Sequence, residues 1–194
     1  STDPSGGVFY PEYFEKNFIF NDLTHKSALI GIRIEGPTNS VDQRVARLCK
    51  ELNLLRDEYS ILEHEQSSIF WNKTKNLEVF SNSKGNLLRV IVPMSETVNV
   101  IQKLKAYDIK YFLDWGGSLI WLQIEDLNLK ILKEIRDITQ KHSGYFTIIK
   151  IEEDLKASAD IFTIDPIKYK ISEKIKKSFD PKRIFNPGKM YSGI

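Results

Sequence analysis

The sequence predicts an α+β fold in which one broad antiparallel sheet carries helices on one face. Three features support this: short alternating segments of strand length, amphipathic segments of helix length between them, and Gly or Pro signals closing most of them. The second half reads strand, helix, strand, strand, helix, strand with short hairpin links. That order is the split β-α-β, or ferredoxin-like, unit.

The opening residues Ser1 to Gly7 have linker composition, and Ser1 in place of methionine reads as a chain processed or cut from a longer one. Residues 8 to 27 crowd Phe9, Tyr10, Tyr13, Phe14, Phe18 and Phe20 together without a clear period, as expected of an arm lying on a partner surface. From Leu29 to Glu35 the pattern alternates: Ile30, Ile32 and Ile34 point one way, Arg33 and Glu35 the other, which predicts a half-buried strand ended by Gly36-Pro37. A helix from about Ser40 to Leu52 and a weaker alternation over Leu54 to Leu62 complete a β-α-β unit, read as a partial copy that enlarges the same sheet.

A short helix carrying Ile69, Phe70 and Trp71 bridges to a strand from Asn86 to Val92, which Pro93 stops. Ser95 is the expected N-cap of a helix with Val98, Ile101 and Leu104 on its apolar face. Strand Ile109 to Trp115 turns at Gly116-Gly117 into strand Leu119 to Ile124. Leu127, Ile131, Ile135 and Ile138 mark the next helix, and Gly144 releases the chain into strand Tyr145 to Ile149. Asp165-Pro166 is an N-cap followed by proline at the first helical position, and Ile167, Ile171 and Ile175 continue an apolar face to Ser178. The predicted organisation is an arm over residues 1–27, an α+β domain over 28–178 and a C-terminal strap over 179–194.

With 194 residues and 41% hydrophobic content, the chain can bury a real core. Its 28 basic and 26 acidic side chains leave a net charge of +2, too small a global field to argue for nucleic acid or a membrane surface. The single cysteine excludes an internal disulfide framework or a Cys-cluster metal site and points to a reducing, cytoplasmic setting. Cys49 itself falls with Val41, Val45, Leu48 and Leu52 on an apolar side, as a buried packing thiol would. No apolar run approaches the roughly 18 residues that span a bilayer. His25, His64 and His142 show no metal-ligand spacing, so no metal site is expected, and nucleophile-elbow, P-loop and dinucleotide fingerprints are all absent.

The local charge tells more. Residues 168 to 189 carry Lys168, Lys170, Lys174, Lys176, Lys177, Lys182, Arg183 and Lys189 against Glu173 and Asp180, a segment of net charge +6 suited to a dinucleotide pyrophosphate or a carboxylate. Two prolines, Pro181 and Pro187, stiffen its end; Gly188 permits close backbone approach, and Phe185 and Met190 supply anchors. Asn186 and Lys189 then offer an amide and a cation to a polar ligand. Arg89 and Arg33 are charged residues in strands, each a candidate to hold a substrate carboxylate in bidentate fashion, and Trp115 with Trp121 could line an apolar wall.

The run Phe179-Asp180-Pro181-Lys182-Arg183-Ile184-Phe185-Asn186-Pro187-Gly188-Lys189-Met190 resembles the C-terminal signature of FAD-linked oxidases of the vanillyl-alcohol oxidase type. Leu88-Arg89-Val90-Ile91-Val92-Pro93, Leu113-Asp114-Trp115-Gly116-Gly117 with Trp121-Leu122, the Phe70-Trp71 pair and Ile32-Arg33-Ile34-Glu35-Gly36 are similar to the FAD subunit of glycolate oxidase. The resemblance covers nearly all of residues 28 to 192. It implies a C-terminal substrate (cap) domain over residues 28–178, with FAD held mainly by an N-terminal FAD-binding domain that this sequence does not contain. By the same resemblance Asn186, Pro187, Gly188 and Lys189 lie beside the flavin and the cap furnishes the substrate wall; Arg89, which also matches the family pattern, is the preferred substrate anchor among the candidates Arg89, Trp115 and Arg33, and no catalytic residue is assigned.

The implied chemistry is oxidation of a small 2-hydroxy acid, with electrons passed to an iron-sulfur partner subunit and peripheral placement at the inner membrane through partner subunits. On this reading the chain alone is inactive. Two other readings stand beside it: a stand-alone ferredoxin-like binding module, and a structural subunit that completes a separate flavoprotein. An RNA-binding version of the module lacks the basic-glycine-aromatic strand it needs, and no nucleic-acid partner is expected.

Overall fold

The computed structural model describes residues 2–14, 28–81, 85–156, 158–163, 165–189 and 191. The predicted aromatics Phe18 and Phe20, His25 and the anchor Met190 lie outside the described residues. Among the described residues, six strands and six α-helices follow the chain as β1 (Gly6–Tyr10), β2 (Leu29–Arg33), α1 (Thr38–Glu51), α2 (His64–Lys75), β3 (Asn86–Ile91), α3 (Thr97–Leu104), β4 (Ile109–Asp114), β5 (Leu119–Ile124), α4 (Leu129–Lys141), β6 (Tyr145–Lys150), α5 (Glu153–Lys156) and α6 (Pro166–Phe179). The fold is α+β, with an antiparallel sheet in the order β2-β1-β4-β5-β3-β6. The chain divides into two compact units, Ser1–Ser83 with Phe112–Gly117, and Lys84–Tyr111 with Ser118–Ile194.

In the first unit, the residues expected to be linker and the start of an arm form β1. Gly6 to Tyr10 pair antiparallel with Arg33 to Leu29, and Phe9 pairs with Leu113 of β4. The aromatic set has a local purpose: Tyr10 stacks on Phe112 at 4.9 Å between centroids, and Phe14, Phe70 and Phe80 surround that pair. The buried Tyr10 hydroxyl donates to Thr74 Oγ1 at 2.9 Å, and Thr74 donates in turn to the Phe70 carbonyl, so the polar tip is satisfied inside α2. Burial pushes the Tyr10 phenol well above its usual range.

Three expectations fail in this unit. Leu54 to Leu62 is not a strand: Leu55 and Ile61 are exposed, and a turn closes instead, with the Leu55 amide donating to Glu58 Oε2. The neighbour of β2 comes from before it in sequence. Ile30 and Ile32 face outward on β2, while Gly31 faces α2 so closely that a Cβ there would meet the Phe70 ring at 2.8 Å. Cys49 is half-buried rather than fully buried, like Val45 and Leu48 beside it in α1.

In the second unit, β3 is central, flanked by β5 and β6, and its burial alternates: Asn86, Leu88 and Val90 are buried. Leu88, Val90, Ile120, Leu122, Phe146 and Ile148 form the core with Val100 and Leu104 of α3 and Leu132 and Ile135 of α4. Side chains of this size contribute about 1.5–3 kcal/mol each when fully buried. Asn86 fixes one end of the sheet by donating to the Ile124 carbonyl and accepting from the Glu152 amide. The Asn128 side chain caps α4 through the Ile131 amide, and the Asp165 side chain caps α6 through the Ile167 and Lys168 amides.

Ser95 is not the N-cap of α3. A single 3-10 turn, Met94–Glu96, precedes the helix, which starts at Thr97 without a side-chain cap, and Val98 consequently faces solvent while Val100 is buried. Nor do Ile167, Ile171 and Ile175 join the core: all three are exposed along α6.

Candidate functional site

Arg89 occupies the centre of β3 on the side opposite Leu88 and Val90. The register places Trp121 of β5 directly across from it on one flank and Thr147 of β6 on the other. Residues directly opposite in an antiparallel pair share a face, so the three side chains form one row across the sheet. All three are half-buried. The next rows on this face are Leu87 with Gln123, and Ile91 with Leu119 and Tyr145. A guanidinium between an indole and a hydroxyl on a rigid sheet brings together a cation, an apolar wall and a further polar group, a set suited to a small carboxylate bearing a hydroxyl.

Residues 180 to 189 make the second arrangement. Asp180 is nearly fully buried at the C-terminal end of α6. Its Oδ1 accepts from the Ile184 amide and its Oδ2 from the Phe185 amide, both at 2.9 Å, and Lys176 Nζ pairs with Oδ2 at 2.8 Å while also donating to the Phe185 carbonyl. The Lys176 hydrogen bond, aided by those two amides, holds the Asp180 carboxyl down at about 2. The loop is therefore set by a charge-assisted clasp. Beyond it Asn186 has a φ of 45°, Gly188 a φ of 68°, and the Lys189 amide donates to the Asn186 carbonyl at 3.2 Å. Asn186, Pro187, Gly188 and Lys189 are all exposed, and nothing lies within 4 Å of where a Gly188 Cβ would be. The strap is an ordered turn that presents its amide, open backbone and cation outward.

The structure brings Arg89 and Trp121 together and keeps Asn186 to Lys189 contiguous in the same unit; Arg33 and Trp115 belong to the other unit. Arg33 pairs with Glu35 at 2.8 Å and lies 5.8 Å from the Trp71 ring centroid, contacts that already account for a strand arginine. Trp115 is exposed in the turn after β4, with a φ of 52° and its amide donating to Asp114 Oδ1 at 2.7 Å.

Sequence reasoning passed over Thr147, the Lys176–Asp180 clasp, and a cluster in which His142 Nδ1 lies 2.5 Å from Glu96 Oε2 and His142 Nε2 lies 2.8 Å from Lys103 Nζ. Only the clasp had a local signal, its i,i+4 spacing. Among the described residues no group of three or more His, Cys, Asp and Glu could hold a metal ion, and no helix is long and apolar enough to cross a membrane. No known protein-family model matches the chain, and a search of curated proteins gives no significant match.

Proposed function

We propose that the chain is the substrate (cap) domain of an FAD-dependent 2-hydroxy-acid oxidoreductase of the glycolate-oxidase kind, working with a separate FAD-binding domain and an iron-sulfur subunit. The observation that carries this reading is the strap: the clasp between half-buried Lys176 and buried Asp180 fixes a turn whose Asn186, Gly188 and Lys189 are exposed, with open space beside Gly188. An isolated turn gains little from such a clasp, whereas a turn that meets a cofactor gains pre-organisation. The run from β3 to β6, with its strand order β4-β5-β3-β6, supports the ferredoxin-like reading of the domain.

The residues present suit FAD. Lys189 supplies a cation for a pyrophosphate or an anionic flavin edge, Asn186 an amide for the ring's polar rim, and Gly188 a backbone that can approach closely. Bound FAD would supply the two-electron oxidant for the 2-hydroxy acid. Arg89 holds the substrate carboxylate, Trp121 provides the apolar wall that keeps water from it, and Thr147 orients the neighbouring hydroxyl.

Purification through this chain from the cells that make it should bring flavin with it and support glycolate-dependent dye reduction. In that assembly Arg89→Ala should raise KM for the hydroxy acid by at least about tenfold, the scale of one lost charge-assisted contact, with flavin content unchanged. Lys189→Ala should instead lower flavin content. An assembly without flavin and without hydroxy-acid-dependent reduction would sink the proposal.

A further inference from the structure

Helix α6 is inside out. Its inward stripe is Tyr169, Ser172 and Lys176, half-buried, leading to buried Asp180; its outward stripe is Ile167, Ile171, Ile175 and Phe179. Four-residue steps on a helix drift by only about 40°, so these four make a continuous apolar band. The band is exposed throughout: Ile171 by 53%, Ile175 by 54% and Phe179 by 84%. Lys170, Lys174 and Lys177 border it on one side and Lys168 on the other; among the described residues no ion pair engages the first three, while Lys168 pairs with Asp165 and sits over the Tyr145 ring.

From this the geometry points to an anionic lipid surface as the occupant of the α6 band. An apolar face edged by lysines is the pattern of a helix lying in a membrane interface, where the isoleucines and Phe179 enter the acyl boundary and the lysine stems snorkel to the headgroups. A protein partner fits the same helix less well, because protein interfaces are depleted in lysine relative to the rest of the surface and four lysines edge this band. Charge complementarity specifies the lipid: α6 itself carries Lys168, Lys170, Lys174, Lys176 and Lys177 against Glu173, net +4, and each juxtamembrane cation strengthens binding to anionic headgroups by about fivefold. This membrane contact stands independently of the flavin reading and needs no spanning segment.

The full chain should co-sediment with phosphatidylcholine vesicles containing phosphatidylglycerol at least about tenfold more strongly than with phosphatidylcholine alone. The double variant Ile171→Ser, Ile175→Ser keeps the charge and removes the apolar band; because both positions are exposed it should keep the wild-type circular dichroism and lose most of the vesicle binding. Lys170→Gln with Lys174→Gln should lose the preference for anionic vesicles. Three results would overturn the assignment: equal or no binding to both vesicles, serine variants that bind as the wild type does, or a dimer by light scattering that the serine variants dissociate.

Discussion

Asp180 shows how much one side chain decides at the residue scale. It closes α6, neutralises the half-buried Lys176 and satisfies two amides of the turn that follows, so removing it leaves an ammonium and two N–H groups without their acceptor. Its folded pKa, about 2, lies below the ordinary 3.8, so the ionised form favours the folded turn. The contribution is complete above the ordinary value and is lost as pH falls through it towards 2. Urea-unfolding midpoints followed downward over that interval should decline in the native chain, and Asp180→Asn should start lower and flatten the decline. An unchanged slope in the variant would show that other carboxylates dominate the acid response. Glu96 is shifted in the same direction, chiefly by its hydrogen bond with His142, so the two sites act together on the acid side.

At the scale of elements, close packing makes Gly144 the sharpest test. A Cβ there would meet Val92 Cγ1 at 2.5 Å, the Ile91 carbonyl oxygen at 2.6 Å and Thr139 Cγ2 at 2.8 Å, at the link from α4 to β6. The carbonyl belongs to the central strand and cannot yield cheaply, so Gly144→Ala should destabilise by about 1–3 kcal/mol in urea unfolding. The sequence showed that glycine as a helix stop but not the contact behind it. The strands β3, β4, β5 and β6 were legible because each is an apolar run of strand length set off by signals such as Pro93, Gly116-Gly117 and Gly144, and α6 because Asp165-Pro166 is local chemistry. Strand β1 was not: Gly6 and Gly7 look like linker until the distant partners Arg33 and Ile32 are known. The false strand over Leu54 to Leu62 is the converse, an alternation with no neighbour to pair with. The candidate site divides in the same way. Asn186 to Lys189 and Arg89 could be picked out along the chain, whereas the row Trp121–Arg89–Thr147 exists only through cross-strand register.

For the whole molecule, the small net charge of +2 conceals a segregation: residues 168 to 189 carry +6, which leaves the remainder at −4. Charges bunched within roughly a Debye length act on a charged surface as a unit, while the same number scattered over a chain is largely screened from one another. The native chain should therefore be retained on a sulfonate resin at pH 7 more strongly than its net charge implies. Two triple variants separate position from total charge. Reversal of Lys170, Lys174 and Lys177 to glutamate and reversal of Lys50, Lys75 and Lys130 to glutamate both bring the chain to −4, since each replacement removes two charges, and all six lysines are exposed. The first variant should flow through at low salt, because the basic segment falls to net zero; the second should still bind, because that segment is intact. Elution of both at the same salt concentration would mean that the chain meets charged surfaces through its average charge, and the basic C-terminal segment would then have no directing role.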